Sequence, residues 1–306
     1  MPVLLKPRAL RPGGTLGLAA PAFPIERATL EAGEALWRAA GFRTFRRDDL
    51  LNVDGFLAGD DARRAKELTD LVADPAIDAI VCARGGYGCH RIIGLLDARR
   101  FRAARKPLVG YSDVTTLFLW QRRQAGLAGI HGPMLEKGPD QAPEALEALV
   151  GLVTGKARPP VLRGRAGGGG RAEGRLVGGN LVTVVASLGT PWEVDTRGAI
   201  LLLEEIGERP YRIDRLFQQL LAAGKLRGVA GVGIGQLVGC DDARYPHPTA
   251  EAVIAAVVKP LGLPLVLDLP FGHGKPNLAW PFGARAAIDG RRGVVRVLEP
   301  GVVRDA

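Results

Sequence analysis

Aromatic residues make up only 6% of this 306-residue chain, and histidine and cysteine are rarer still, with four and three copies. Each scarcity excludes something. Nucleic-acid-binding surfaces interleave rings with basic blocks. Here the basic residues, among them Lys6, Arg8, Arg11, Arg102 and Arg105, are scattered with acids between them, so no nucleic-acid partner is expected. The net charge of +9 instead favours solubility and the attraction of an acidic substrate. Cys82, Cys89 and Cys240 are too few, and odd in number, for a disulfide framework. No C-x-x-C or H-E-x-x-H spacing occurs, so no metal is expected. No uncharged apolar run approaches the ~18 residues of a membrane span. The opening MPVLLKPRALRPGG lacks the apolar centre of a signal peptide. The expected location is the cytoplasm, without membrane attachment.

What is present is an alternation of apolar runs and amphipathic stretches. Residues 15–20, 42–45, 77–83, 107–110 and 129–131 read as strands. Residues 25–40, 60–73, 89–96 and 113–123 read as helices. Strands that are apolar throughout, separated by helices, predict an α/β domain with a parallel sheet covered on both faces. Functional groups in such sheets gather beyond the carboxyl ends of the strands. The turns RGGYG (84–88) and GYSD (110–113) both fall there and are expected to meet. Residues 156–174 contain Pro159, Pro160 and the run Gly167–Gly170, a composition that reads as a flexible linker. The chain is therefore divided into an N-terminal α/β domain (1–155), a linker (156–174) and a C-terminal domain (175–306). In the last, Ala199–Leu203, Val229–Val238 and Pro264–Leu267 read as strands. Residues 286–297 read as a hairpin with an Asp-Gly turn.

Ser112 follows an apolar strand, sits in a tight turn after Gly110 and opens a helix. That is the arrangement of a nucleophile elbow, with the N–H of Asp113 aimed where an oxyanion forms. It is equally the arrangement of a helix-capping serine, and the second glycine of G-x-S-x-G is replaced by Val114. Local sequence leaves both readings open. A nucleophilic serine needs a base. Of the four histidines, His273 is best placed, at a strand end between two glycines, and His131 in IHGPM is second. His90 and His247 have no obvious catalytic setting. The base needs an orienting acid. Glu204 and Glu205 close the run AILLLEEIGE, and as neighbours on a strand they point to opposite faces. One is available for function while the other is solvated or paired, with Arg212 or Arg215. RGGYG has neither the GK[ST] ending of a P-loop nor G-x-G-x-x-G spacing, so no nucleotide cofactor is expected.

Together these stretches resemble the LD-carboxypeptidase family of serine peptidases, which also includes the microcin C immunity peptidases. The resemblance is carried by LAAP near the start, ARGGYG (83–88), GYSD (110–113), HGPM (131–134), GGNL (178–181), GTPW (189–192), LLLEEIGE (201–208) and FGH (271–273), in family order across nearly the whole chain. It implies a Ser112–Glu204–His273 triad. It also implies an oxyanion hole from the backbone N–H groups of Asp113 and Gly86, and a β-rich, barrel-like second domain. Arg84, Tyr87 and His131 are the candidates for binding substrate. The implied reaction is release of terminal D-alanine from murein tetrapeptides in cell-wall recycling, without metal or cofactor, by a homodimer. The alternatives are a microcin-immunity-type peptidase acting on aminoacyl-nucleotide amides and a non-enzymatic binding protein on the same scaffold. Glu205 departs from the family pattern, since many relatives carry Asp there.

Overall fold

The structure is a computed structural model and describes residues 4–137, 143–244 and 246–304. Five short parallel strands form the first sheet: β1 (Thr15–Ala19), β2 (Arg43–Phe45), β3 (Ala79–Cys82), β4 (Leu108–Gly110) and β5 (Gly129–His131), in the order β5-β4-β3-β1-β2. Burial on both faces explains the apolar character of β1, β3, β4 and β5; β2, at the edge, reads Arg-Thr-Phe and is largely exposed. Helices α1 (Arg27–Ala39) and α2 (Asp61–Ala73) lie on opposite faces. Leu30 and Trp37 of α1 pack with Leu16 and Leu18, whereas Leu68 and Leu71 of α2 pack with Ile80 and Leu108. The short helices α3 (Cys89–Ile92), α4 (Ala98–Ala104) and α5 (Thr115–Trp120) join the α2 side, and α6 (Pro143–Val153) joins the α1 side.

The second sheet is mixed. Its strands are β6 (Val161–Arg163), β7 (Arg165–Gly168), β8 (Arg171–Asn180), β9 (Ala199–Ile206), β10 (Gly231–Val238) and β11 (Leu265–Leu267). The next strand, β12 (Trp280–Phe282), leaves this sheet and adds to the first one, antiparallel to β5. The chain then returns as the hairpin β13 (Arg285–Asp289) and β14 (Val294–Val297). The order is β6-β14-β13-β8-β9-β10-β11-β7. The two edges, β6 and β7, are joined through Gly164, whose N–H donates to the Gly293 carbonyl at 2.8 Å, and Gly168 N–H donates to Gly290 at 3.1 Å. The sheet thus curls into a barrel-like closure, which removes exposed edges. Helices α7 (Leu181–Ala186), α8 (Pro210–Ala222) and α9 (Ala250–Val258) cover it.

Two expectations need correction. Residues 156–174 are no flexible linker: they build β6, β7 and the start of β8. Their glycines serve close approach, because a Cβ at Gly167 would lie 2.6 Å from the Leu265 side chain and one at Gly169 would lie 2.4 Å from the Leu263 carbonyl. The division at 175 does not partition the sheets either, since β12 completes the N-terminal one. In register, Gly110, His131 and Trp280 stand in one row across β4, β5 and β12.

Candidate active site

The site begins where β4 ends. Gly110 must lack a side chain, since a Cβ there would meet Val114 at 2.7 Å as the chain folds back. Tyr111 is extended and Ser112 is left-handed, with φ +59°. A non-glycine residue held there is strained, and the hydroxyl is turned outward. No side chain caps the single 3-10 turn Ser112–Val114 that leads into α5, so Ser112 is not a cap. RGGYG packs directly against it: a Cβ on Gly85 would lie 2.8 Å from Ser112 Cβ and 2.9 Å from its Oγ. Asp113 points inward and its carboxylate accepts from the Cys89 N–H at 2.8 Å, at the start of α3. Burial raises the Asp113 pKa. The two turns therefore meet and are stitched together.

A buried layer from α2 fixes the surrounding loops. Arg64, fully buried, donates to the carbonyls of Pro21 at 2.7 Å and Gly88 at 2.9 Å. Glu67 accepts from the Ala20 N–H at 2.7 Å. The strand ends of β1 and β3 are thereby locked to one helix.

The second half contributes the other groups. Glu204, on β9, is fully buried, and its Oε2 lies 2.6 Å from His273 Nδ1. A carboxylate can only accept, so the imidazole proton sits on Nδ1. That leaves Nε2 free to accept from the Ser112 hydroxyl, at 3.1 Å. The histidine turn is held at both shoulders. Gly272 N–H donates to Asn277 Oδ1 at 3.1 Å and Gly274 N–H donates to Gln236 Oε1 at 2.7 Å. Gly272 has φ +122°, and a Cβ there would lie 2.9 Å from Glu204 Oε2. No other residue fits. Tyr111 stands edge-on to His273 with ring centroids 4.9 Å apart. Burial opposes charge on His273, but Glu204 outweighs it by charge and hydrogen bond, and the net shift of its pKa is upward.

Ser112 and His273 lie 161 residues apart in the chain, so their spacing depends on how β8 meets α5. Asn180 N–H donates to Thr115 Oγ1 at 3.1 Å, and Gly179 provides the room, since a Cβ there would sit 2.3 Å from that hydroxyl.

Comparisons with known proteins show the family. The LD-carboxypeptidase N-terminal domain model matches residues 16–132 and the LD-carboxypeptidase C-terminal domain model matches residues 173–288. The chain belongs to the LD-carboxypeptidase family. It is a hydrolase of the serine carboxypeptidase type. It is 39% identical to a putative carboxypeptidase of Synechocystis over 96% of this chain and 97% of that one. It is 34% identical to a probable murein peptide carboxypeptidase of Bacillus subtilis over 98% and 96%. The microcin C7 self-immunity protein MccF of Escherichia coli is 26% identical over 94% and 93%. A solved structure of MccF in complex with glutamyl sulfamoyl guanosine shares the fold, with a TM-score of 0.89 at 22% identity over 98% of this chain and 100% of that one.

The remaining candidate residues fall into place less evenly. His131 was expected at the substrate. It is instead fully buried, stacked on Trp280 at 4.7 Å and covered by Phe271 and Tyr111. Burial, with a smaller contribution from His273, pushes its pKa down to about 3. β12 is what covers it. Glu205 was expected to be solvated or paired with arginine. It is buried and accepts from Asn180 Nδ2 and the Val182 and Ile206 N–H groups, each at 2.9 Å. Burial first, and the neighbouring Glu204 charge, raise it to about 7. Arg84 sits at the rim, 3.0 Å from Glu136 and over the Phe23 ring. Gly86 and Tyr87 are exposed beside it. His90 is hydrogen-bonded to Thr116 at 3.2 Å, away from the serine. Gly85, Thr115, Asn180, Gln236 and Asn277 were not singled out from sequence. Gly85 and Asn180 lay inside the motifs RGGYG and GGNL without being picked out, and Gln236 is a polar residue inside the glycine-rich run GVGIGQLV.

Proposed function

We propose that this protein releases terminal D-alanine from murein tetrapeptides by acyl transfer through Ser112, His273 and Glu204. The observation that carries the reading is the continuous line from Glu204 Oε2 through both imidazole nitrogens to Ser112 Oγ. His273 Nε2 takes the hydroxyl proton as Ser112 attacks the carbonyl before the terminal residue. Glu204 holds the tautomer and stabilises the imidazolium. The N–H groups of Asp113 and Gly86 receive the oxyanion, and losing one such donor costs ~3 kcal/mol. The imidazolium protonates the departing amine, and water, deprotonated by His273, releases the acyl group. The B. subtilis relative's name supports a murein peptide as substrate. Such peptides carry several carboxylates, which suits a chain of net charge +9. Cys82, Cys89 and Cys240 are all free and buried, which fits work in the reducing cytoplasm.

The likeness to MccF favours the second reading, an aminoacyl-nucleotide substrate. That reading needs a ring free to stack on a base. Neither Trp280 nor Trp192 offers one, since Trp280 is fully buried and Trp192 leans on His90 at 5.8 Å. Phe56 and Tyr87 are exposed, so it is the relatives named as murein peptide carboxypeptidases that support the murein peptide instead. Incubation with a tetrapeptide ending in D-Ala, followed by mass analysis, is expected to show loss of one D-alanine. The all-L analogue is expected to react at least about tenfold more slowly, because its carboxylate enters without a partner. Cleavage of an aminoacyl-sulfamoyl adenosine with no D-alanine released reverses the choice.

The pH profile follows from the His273 environment. The base must be neutral, and its pKa is raised, so kcat/KM rises with pH through a midpoint above the ordinary value of about 6.5. Glu204→Gln removes the charge that raises it and is expected to move that midpoint down. A midpoint at or below 6.5 in the wild type contradicts the Glu204–His273 coupling.

A further inference from the structure

Beside the serine the surface carries a row of rings for which the triad has no use. Phe23 follows β1, Phe56 follows β2 and Tyr87 follows β3, all at the carboxyl ends of their strands. Ring centroids are 5.9 Å apart for Phe23 and Phe56 and 6.0 Å apart for Phe56 and Tyr87. Phe56 is 56% exposed and Tyr87 45%, a large amount of apolar surface to leave in water. The row is continuous with the nucleophile. Gly85 touches Ser112, and the Phe23 ring lies on Gly86 so closely that a Cβ there would meet it at 2.3 Å. The Arg84 guanidinium sits over Phe23 with its carbon 5.7 Å from the ring centroid, putting positive charge at the inner end.

We infer that this aromatic ridge is the subsite for the acyl-donor part of the peptide, the residues on the amino side of the scissile bond. The inference rests on the carboxypeptidase reading above. A carboxypeptidase releases one residue, so the leaving side needs only a small pocket and an extended surface serves the donor side. Three extended donor residues span roughly 10 Å, which suits two ring spacings of 5.9 and 6.0 Å. The rings cover the methyl and methylene groups of the donor, and Arg84 meets a donor carboxylate by exchanging its partner Glu136.

The test compares two substrates that share the same scissile bond. One is the tetrapeptide; the other is a dipeptide holding only the residues that flank the bond. Phe56→Ala and Tyr87→Ala, singly and together, change exposed side chains, and thermal midpoints are expected to stay at the wild-type value. The double variant is expected to lose about tenfold or more in kcat/KM on the tetrapeptide and less than about twofold on the dipeptide. Equal losses on both substrates, or no loss on the tetrapeptide, overturn the ridge while leaving the carboxypeptidase reading intact. So does a shift to a smaller species by light scattering with unchanged kinetics, which makes the ridge a contact between copies. If the wild type releases D-alanine from neither peptide, the carboxypeptidase reading falls and the ridge assignment falls with it.

Discussion

Ser112→Ala is expected to abolish D-alanine release, by roughly 10⁵–10⁶-fold in kcat, with a residual ~10³ over water from the oxyanion hole and binding. The size of the effect follows from the geometry. Ser112 Oγ is the atom that faces His273 Nε2 at 3.1 Å, and alanine leaves nothing there to deprotonate. Stability separates this from unfolding. Alanine keeps the Cβ, so the left-handed strain at φ +59° is unchanged and the thermal midpoint stays near the wild-type value. Ser112→Gly sharpens the test. It is equally inactive, yet it relieves a strain of about 1–2 kcal/mol, against a cost of ~0.5–1 kcal/mol for glycine's freedom when unfolded. The glycine variant should be no less stable than the wild type, and up to about 1.5 kcal/mol more stable. Denaturation midpoints for the three proteins, measured beside turnover, check both parts. Activity of Ser112→Ala near the wild-type level ends the serine mechanism.

Much of this was legible in the sequence because the signals are local. Apolar runs separated by helices gave the parallel sheet, and strand ends gave the two turns that meet at Ser112. What escaped was set by contacts between distant segments. Nothing near His131 announces that β12, some 150 residues on, will add to β5 and bury it, so a strand-end histidine read as a ligand-binding one. Gly167 and Gly169 read as flexibility because composition does not reveal that Leu263 and Leu265 press against them. Glu205 read as solvated because the strand was expected to stop at Leu203. It runs on to Ile206, carrying the second acid into the interior. Gln236 and Asn277 hold the His273 turn from β10 and from beyond FGH, and no spacing rule links them.

The Glu204–Glu205 pair gives the second large effect, and the contrast between neighbours is its content. Glu204→Gln is expected to lower kcat by roughly 10⁴-fold, as an acid-to-amide change does in a serine protease triad. The amide can present its NH₂ to His273 Nδ1, which moves the imidazole proton to Nε2 and leaves no acceptor for the Ser112 hydroxyl. Glu205→Gln leaves that line untouched. Its cost is structural, because the carboxylate serves three donors at once, Asn180 Nδ2 and the Val182 and Ile206 N–H groups. A carboxamide turns an NH₂ toward at least one of them, a mismatch of about 1–3 kcal/mol. The pH dependence of stability marks the same residue. Folded Glu205 keeps its proton up to about 7, against 4.5 for the free side chain. The folded state therefore binds more protons across that window, and its contribution to stability is present below 4.5 and lost as pH rises through about 7. Glu205→Gln is expected to flatten that decline while kcat changes far less than in Glu204→Gln. Should Glu205→Gln prove the more damaging to kcat, with Glu204→Gln mild, the orienting acid is Glu205 and the hydrogen bond from His273 to Glu204 is not the one catalysis uses.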